Sequence, residues 1–199
     1  MFRKIFSIGS TICVLALATL ISSGCALIGL EEEEEETTTV ATGSLSDIEG
    51  TWVSGCNTGT GGNPQIRTVT FSGTTYTHQQ KDYGDTSCSS ENYVVEATYN
   101  NLTAGSQTTL YNAESGFYLT ATVQTLTWTM KTSTMANYAN SQSICGITSW
   151  QPNEAVSIAG IANCGGSDQP SQGTAYTDKY KVSGTSLILE NTQLTYTKQ

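Results

Sequence analysis

The chain is poor in the residues from which most catalytic and nucleic-acid sites are built. It has one histidine, His78, three prolines, Pro64, Pro152 and Pro170, and 8 Lys and Arg residues against 17 Asp and Glu. Nucleic acid is therefore not an expected partner, because phosphate backbones need a basic footprint and no arginine patch or RNA-stacking motif offsets the acidity. No G-x-S-x-G elbow, lysine-bearing phosphate loop or H-E-x-x-H sequence is present. The segment "GCNTGTGGNP" is glycine-rich but lacks the lysine and the following helix, so it reads as a flexible loop. His78 lies in a threonine-rich hairpin, where an exposed side chain is expected. Asp82 and Asp85 around Gly84 read as a polar turn. Zinc is not expected either, since the cysteine gaps are long and the histidine is not near a C-x-x-C pair. These absences predict a protein that is not an enzyme and carries no cofactor or metal. A hydrolase using two carboxylates stays open only because a fold does not fix a function.

Long hydrophobic runs are also missing. A basic start, Arg3 and Lys4, precedes an apolar stretch from Ile12 to Ile21, which is shorter than the roughly 20 residues of a membrane span and has the plan of a secretory signal. The small residues before Cys25 resemble the bacterial lipoprotein signal, with Ser22 where that signal usually has leucine. The resemblance implies lipidation of Cys25 and attachment to the membrane through that lipid alone. Ordinary cleavage to a soluble protein is the alternative. Ala26 after the cysteine resembles the outer-membrane type of sorting signal, which implies a cell-envelope location, facing the periplasm or the surface. Glu31 to Glu36 repel one another and bury nothing, so residues 26–44 read as an extended acidic tether. The chain thus divides into a signal at 1–25, a tether at 26–44 and one folded domain at 45–199.

Within that domain, strand patterns recur. "IEGTWVSG", "IRTVTFSGTTYTHQ", "NYVVEATYNN" and "AYTDKYKVSGTSLILENTQLTYTK" alternate or break at Ser72-Gly73, Ser183-Gly184 and Glu190-Asn191 turns. In "TTLYNAESGFYLTATVQTLTWTMK", Phe117, Leu119, Ala121 and Val123 share one parity, while Leu126, Trp128 and Met130 share the other, which predicts a bulge or tight turn near Gln124. The stretch from Ser133 to Gln172 is irregular, with one short helix expected around Met135 to Ser141. No internal repeat is present. The fold class is all-β, an antiparallel barrel or sandwich of about eight to ten short strands.

Cys56, Cys88, Cys145 and Cys164 remain in the domain, an even number that reads as two disulfides in an exported protein. Three pairings are open. Cys56 with Cys88 and Cys145 with Cys164 is favoured because it closes the shorter loops.

Gly50, Thr51 and Trp52 resemble the G-x-W signature of lipocalin-like, or calycin, barrels, and the following Cys56, Arg67, aromatic hairpin and Cys88 continue the likeness through about a quarter of the domain. The resemblance implies an up-and-down barrel closed at the Trp52 end, with a cup that binds or carries a small hydrophobic ligand. Lipocalins usually pack an arginine from the last strand over the tryptophan, and here that strand offers only Lys198. Arg67 is therefore the candidate cation over Trp52, its other reading being the binding of an anionic head group inside the cup. Tyr76, Tyr93, Tyr118 and Trp128 are the candidate ligand-binding residues. The competing expectation is a filled barrel whose long loops, Asn57 to Pro64 and Ser133 to Gln172, contact an envelope protein or a glycan.

Overall fold

The computed structural model describes residues 40–59 and 62–199. The candidate signal, Cys25 and the glutamate tract lie outside the described residues. Among the described residues no helix is long and apolar enough to cross a membrane.

Ten strands form in chain order: β1 (Gly50–Ser54), β2 (Asn57–Thr58), β3 (Pro64–Ser72), β4 (Thr75–Tyr83), β5 (Glu91–Thr109), β6 (Ser115–Met130), β7 (Ala155–Ser157), β8 (Ala175–Ser183), β9 (Ser186–Leu189) and β10 (Leu194–Lys198). Among the described residues two short α-helices accompany them, α1 (Leu45–Ile48) and α2 (Ser133–Ser141), with a 3₁₀ turn at Ile144–Gly146. The strands run β1-β10-β9-β8-β6-β5-β4-β3, and β3 pairs back onto β1. Eight antiparallel strands thus close into a barrel, which leaves no free edge to template aggregation. The remaining two are additions: β2 lies against β3, and β7 against β6.

The local chemistry explains the hairpins. Ser72 pairs with Thr75 and Ser183 with Ser186. Each therefore leaves a two-residue loop led by a glycine, Gly73 or Gly184, both with positive φ, the backbone that matches the twist of the flanking strands. In β6 the expected bulge falls where the parity changes. Thr98 pairs with Thr125 and Tyr99 with Val123, so Gln124 is the extra residue. It lets Phe117, Leu119 and Val123 on one side, and Leu126, Trp128 and Met130 on the other, all turn toward the interior. The helix at Ser133–Ser141 is capped by the Thr132 hydroxyl, which accepts from the Met135 N–H at 3.1 Å.

On the outer face, a register row carries five threonines across five strands: Thr51, Thr70, Thr77, Thr98 and Thr125. Hydroxyls within it bond across strands, Thr51 with Thr70 at 3.2 Å and Thr98 with Thr125 at 2.6 Å. Each β-branched side chain suits the pleated surface, and each pair adds a few tenths of a kcal/mol to the ladder, about 0.2 to 1.

The second half of β5 outruns β4. Its edge is taken by the segment before α1: Thr42 bridges Ser106, the Gly43 N–H donates to the Gly105 carbonyl at 3.0 Å, and the Gln107 N–H donates to the Ala41 carbonyl at 3.0 Å. The chain therefore enters the barrel at the end where α1 lies. There Ile48 and Trp52 are wholly buried, and the Trp52 indole N–H donates to the Ile48 carbonyl at 2.7 Å. The helix is a plug and the tryptophan is its seat.

The cation over Trp52 is Lys198, whose Nζ lies 5.1 Å from the ring centroid, in register with Trp52 across the β1–β10 pair. The assignment of that place to Arg67 is corrected. In β3 it is Val69 that faces Trp52, and Arg67 sits two residues further along the same face. Because Lys198 is exposed, Lys198→Met should lower stability by only about 0.5 to 1 kcal/mol, measurable as a small shift in urea midpoint.

Two disulfides fasten the periphery. Cys56–Cys88, separated by 32 residues, ties the chain after β1 to the β4–β5 connection. Cys145–Cys164, separated by 19, ties the turn after α2 to the connection between β7 and β8. Closing loops of this length removes unfolded-state entropy worth roughly 3 kcal/mol each in the chain-entropy model.

Candidate functional site: the mouth of the barrel

Successive register rows show how the interior changes from one end to the other. Near the plug, Phe71, Tyr76 and Tyr99 occupy one row. Their rings stack, with centroids 4.8 Å apart for Phe71 and Tyr76 and 4.9 Å for Tyr76 and Tyr99. Tyr176 of β8 continues the stack at 4.7 Å from Tyr99. With Leu119, Tyr180, Leu187, Leu189 and Tyr196, all buried, these rings fill the closed half. Tyr176 donates to the Asp178 carboxylate at 2.7 Å, and Asp178 also accepts from the Lys179 and Asn191 N–H groups at 2.8 and 2.9 Å. Burial nonetheless holds the Asp178 carboxyl above its usual range.

Two rows further on the packing loosens. Arg67 pairs with Gln80, Gln80 with Val95, and Val95 with Trp128, so these four side chains share one interior row across β3, β4, β5 and β6. All four, with His78 and Tyr93, keep partial solvent exposure. A cavity of about 310 Å³ opens here, lined by Gln80, Tyr93, Val95 and Trp128 from the barrel and by Ile158, Cys164, Gly165 and Gln169 from the β7–β8 connection. That volume is at the lower end of small-ligand pockets.

The walls are held firmly. Tyr93 meets Trp128 edge-on at 5.3 Å, and Trp150 meets Trp128 edge-on at 6.0 Å from behind. Trp150 is buried and anchored by Asn140, which accepts from the Trp150 N–H at 2.7 Å and donates to its carbonyl at 3.0 Å. The cap over the mouth is fixed by the Cys145–Cys164 bridge and by Gln169, whose amide donates to the Cys164 carbonyl at 2.6 Å. Asp82, buried beside the cavity, accepts from Gln80 at 2.7 Å. Burial, followed by the charge of Asp82, pushes the Tyr93 phenol up to about 12.

Of the four residues expected to line a cup, Tyr93 and Trp128 are brought together at the mouth. Tyr76 lies in the filled half, within the ring stack. Tyr118 is corrected: it lies opposite in parity to Phe117 and Leu119, pairs with Lys179 and is 39 % exposed on the outer surface. His78 is also corrected. It points inward, in the row between Val69 and Ala97. Burial and then the Arg67 charge lower it to about 4. Its Nε2, Arg67 Nε and Trp128 Nε1 are shielded from solvent with no hydrogen-bond partner. Sequence reasoning missed Gln80 and Val95, although their parity matches Tyr76 and Tyr93. It also missed Trp150 and the cap, which follow from an irregular stretch without periodicity.

Among the described residues no group of three or more His, Cys, Asp or Glu side chains is placed to hold a metal ion. No known family model matches the sequence, and no curated protein matches it.

Proposed function

We propose that this is a lipocalin-like carrier of the bacterial cell envelope, held to the membrane by a lipidated Cys25, whose barrel mouth takes up a small and largely apolar ligand. The observation that carries the reading is the 310 Å³ cavity, walled by Tyr93, Val95, Trp128 and Ile158 and by the polar side chains of Gln80 and Gln169. Aromatic and aliphatic walls bring favourable burial at about 25 cal/mol per Å² of apolar surface, while the rigid frame around Trp128 keeps the cost of ordering low. Binding, not catalysis, is the proposed activity.

The test is native mass spectrometry of the chain purified from a bacterial envelope, with titration by a panel of fatty acids and lipids. A co-purifying apolar molecule, lost together with its binding when Trp128 is replaced by alanine, supports the reading. The expected weakening is about tenfold or more, as for a central aromatic anchor. A bare mass that no probe changes would shift the function to the loops. The ring stack that fills the closed half favours that second reading, an interaction module for an envelope protein or glycan, and it limits any ligand to the mouth.

A further inference from the structure

We infer that the ligand of the mouth cavity is a neutral ring compound carrying hydroxyl or N–H donors, recognised by the two fixed amide carbonyls of Gln80 and Gln169 against the Trp128 and Tyr93 rings. The inference rests on the reading of this cavity as a ligand site and adds the chemistry of its occupant.

No ionisable carboxylate, ammonium or guanidinium is among the lining residues. A buried charge on a ligand would have to be compensated from the wall, and the wall offers none. The charges beside it oppose one another: Arg67 is next to Gln80 in the interior row, and Asp82 holds the Gln80 amide. An anion drawn toward Arg67 would also approach Asp82.

The amides are oriented by their own partners. Gln80 Nε2 donates to the Asp82 carboxylate at 2.7 Å. Gln169 Nε2 donates to the Cys164 carbonyl at 2.6 Å and to the Ser167 hydroxyl at 3.2 Å. Carboxylate and carbonyl oxygens only accept, so each NH₂ end is turned toward its partner, with one N–H of Gln80 still free, and the carbonyl end of both residues is left to accept. Among the described residues neither Oε1 accepts a hydrogen bond. Two preoriented acceptors select a ligand that donates. Trp128 contributes its ring to the wall, and a hydroxyl is a group that can donate to an amide carbonyl. Rings also suit the edge-on pair of Tyr93 and Trp128, which leaves aromatic surface for stacking.

The experiment titrates the full chain with three probes of one size, a naphthalenediol, its dimethyl ether and a naphthoate, by isothermal calorimetry and by the indole N–H resonance of Trp128. The diol should bind several-fold to about tenfold more tightly than the ether for each hydrogen bond made, and more tightly than the carboxylate. In Gln80→Met, which leaves the cap intact, the ratio of diol to ether affinity should fall by one hydrogen bond's worth. A second variant, Gln169→Met, should do the same from the other wall, and its urea midpoint reports whether the cap survives. Equal binding of diol and ether, or tighter binding of the naphthoate, overturns the inference while leaving the cavity a ligand site. Binding of none of the three, with the indole resonance unmoved, removes the ligand-site reading on which the inference stands.

Discussion

Replacing Trp52 by alanine should cost about 3 to 5 kcal/mol of stability, read as the loss in unfolding free energy from urea titrations of the full chain. The side chain is wholly buried where three elements meet: the plug helix through the Ile48 carbonyl, β3 through Val69, and β10 through Lys198. Truncation removes a large apolar surface, leaves a cavity in a ring of strands that cannot collapse without breaking its pairing, and strands the Ile48 carbonyl without its donor. The last effect alone is worth about 1 to 3 kcal/mol when an acceptor is left buried and unpaired. Domains of this size are stable by roughly 5 to 15 kcal/mol, so the loss is a large share of the total and should lower the urea midpoint markedly. Trp52→Phe should recover most of the packing but not the hydrogen bond, and Lys198→Met should cost far less than either. A Trp52→Ala cost below about 1 kcal/mol would mean that the plug and barrel floor repack freely, which the geometry of the seat does not allow.

The floor was legible in the sequence because short-range chemistry dictates it. The tryptophan after Gly50 and Thr51, the alternating residues of β3, and the parity change across Gln124 each encode which face turns inward. A barrel follows when several such strands must bury one face and leave no edge. The disulfides followed from loop length. What the pattern misjudged was partner choice within the barrel. Lys198 reaches Trp52 because β10 is the neighbour of β1 in the closed ring, an adjacency between the two ends of the sheet that no local window contains. Tyr118 shows a different lapse: its parity marked it as outward, and its aromatic character outweighed that signal. The cap is the least legible part. Ile158, Cys164, Gly165 and Gln169 reach the mouth through turns and a bridge, without any repeat, and Trp150 stands behind Trp128 because Asn140 of α2 holds its backbone.

The single histidine gives the barrel interior a pH signature that can be isolated. His78 is expected to titrate near 6.5 when unfolded and at about 4 when folded, held neutral first by burial and then by the neighbouring Arg67 charge. Between those values the unfolded chain takes up a proton that the folded chain refuses. Stability therefore rises with pH across this window: the contribution is fully present above pH 6.5 and is lost as the pH falls toward 4. At 1.36 kcal/mol per unit the loss reaches about 3 kcal/mol at most. Asp178 acts in the opposite sense, since its raised carboxyl gains a proton more readily in the folded state and returns some stability as the medium becomes acidic. Asp85 and Glu114, both lowered, lose their contributions further toward acid. The measurement is urea unfolding of the full chain at several pH values from neutral to about 4, compared with His78→Gln, which keeps a polar group of similar reach without the titration. A slope that persists unchanged in the variant would place the acid sensitivity on the carboxylates and not on His78. A slope that flattens between 6.5 and 4 would make the imidazole the acid trigger of the barrel, one row below the cavity where Gln80 and Trp128 stand.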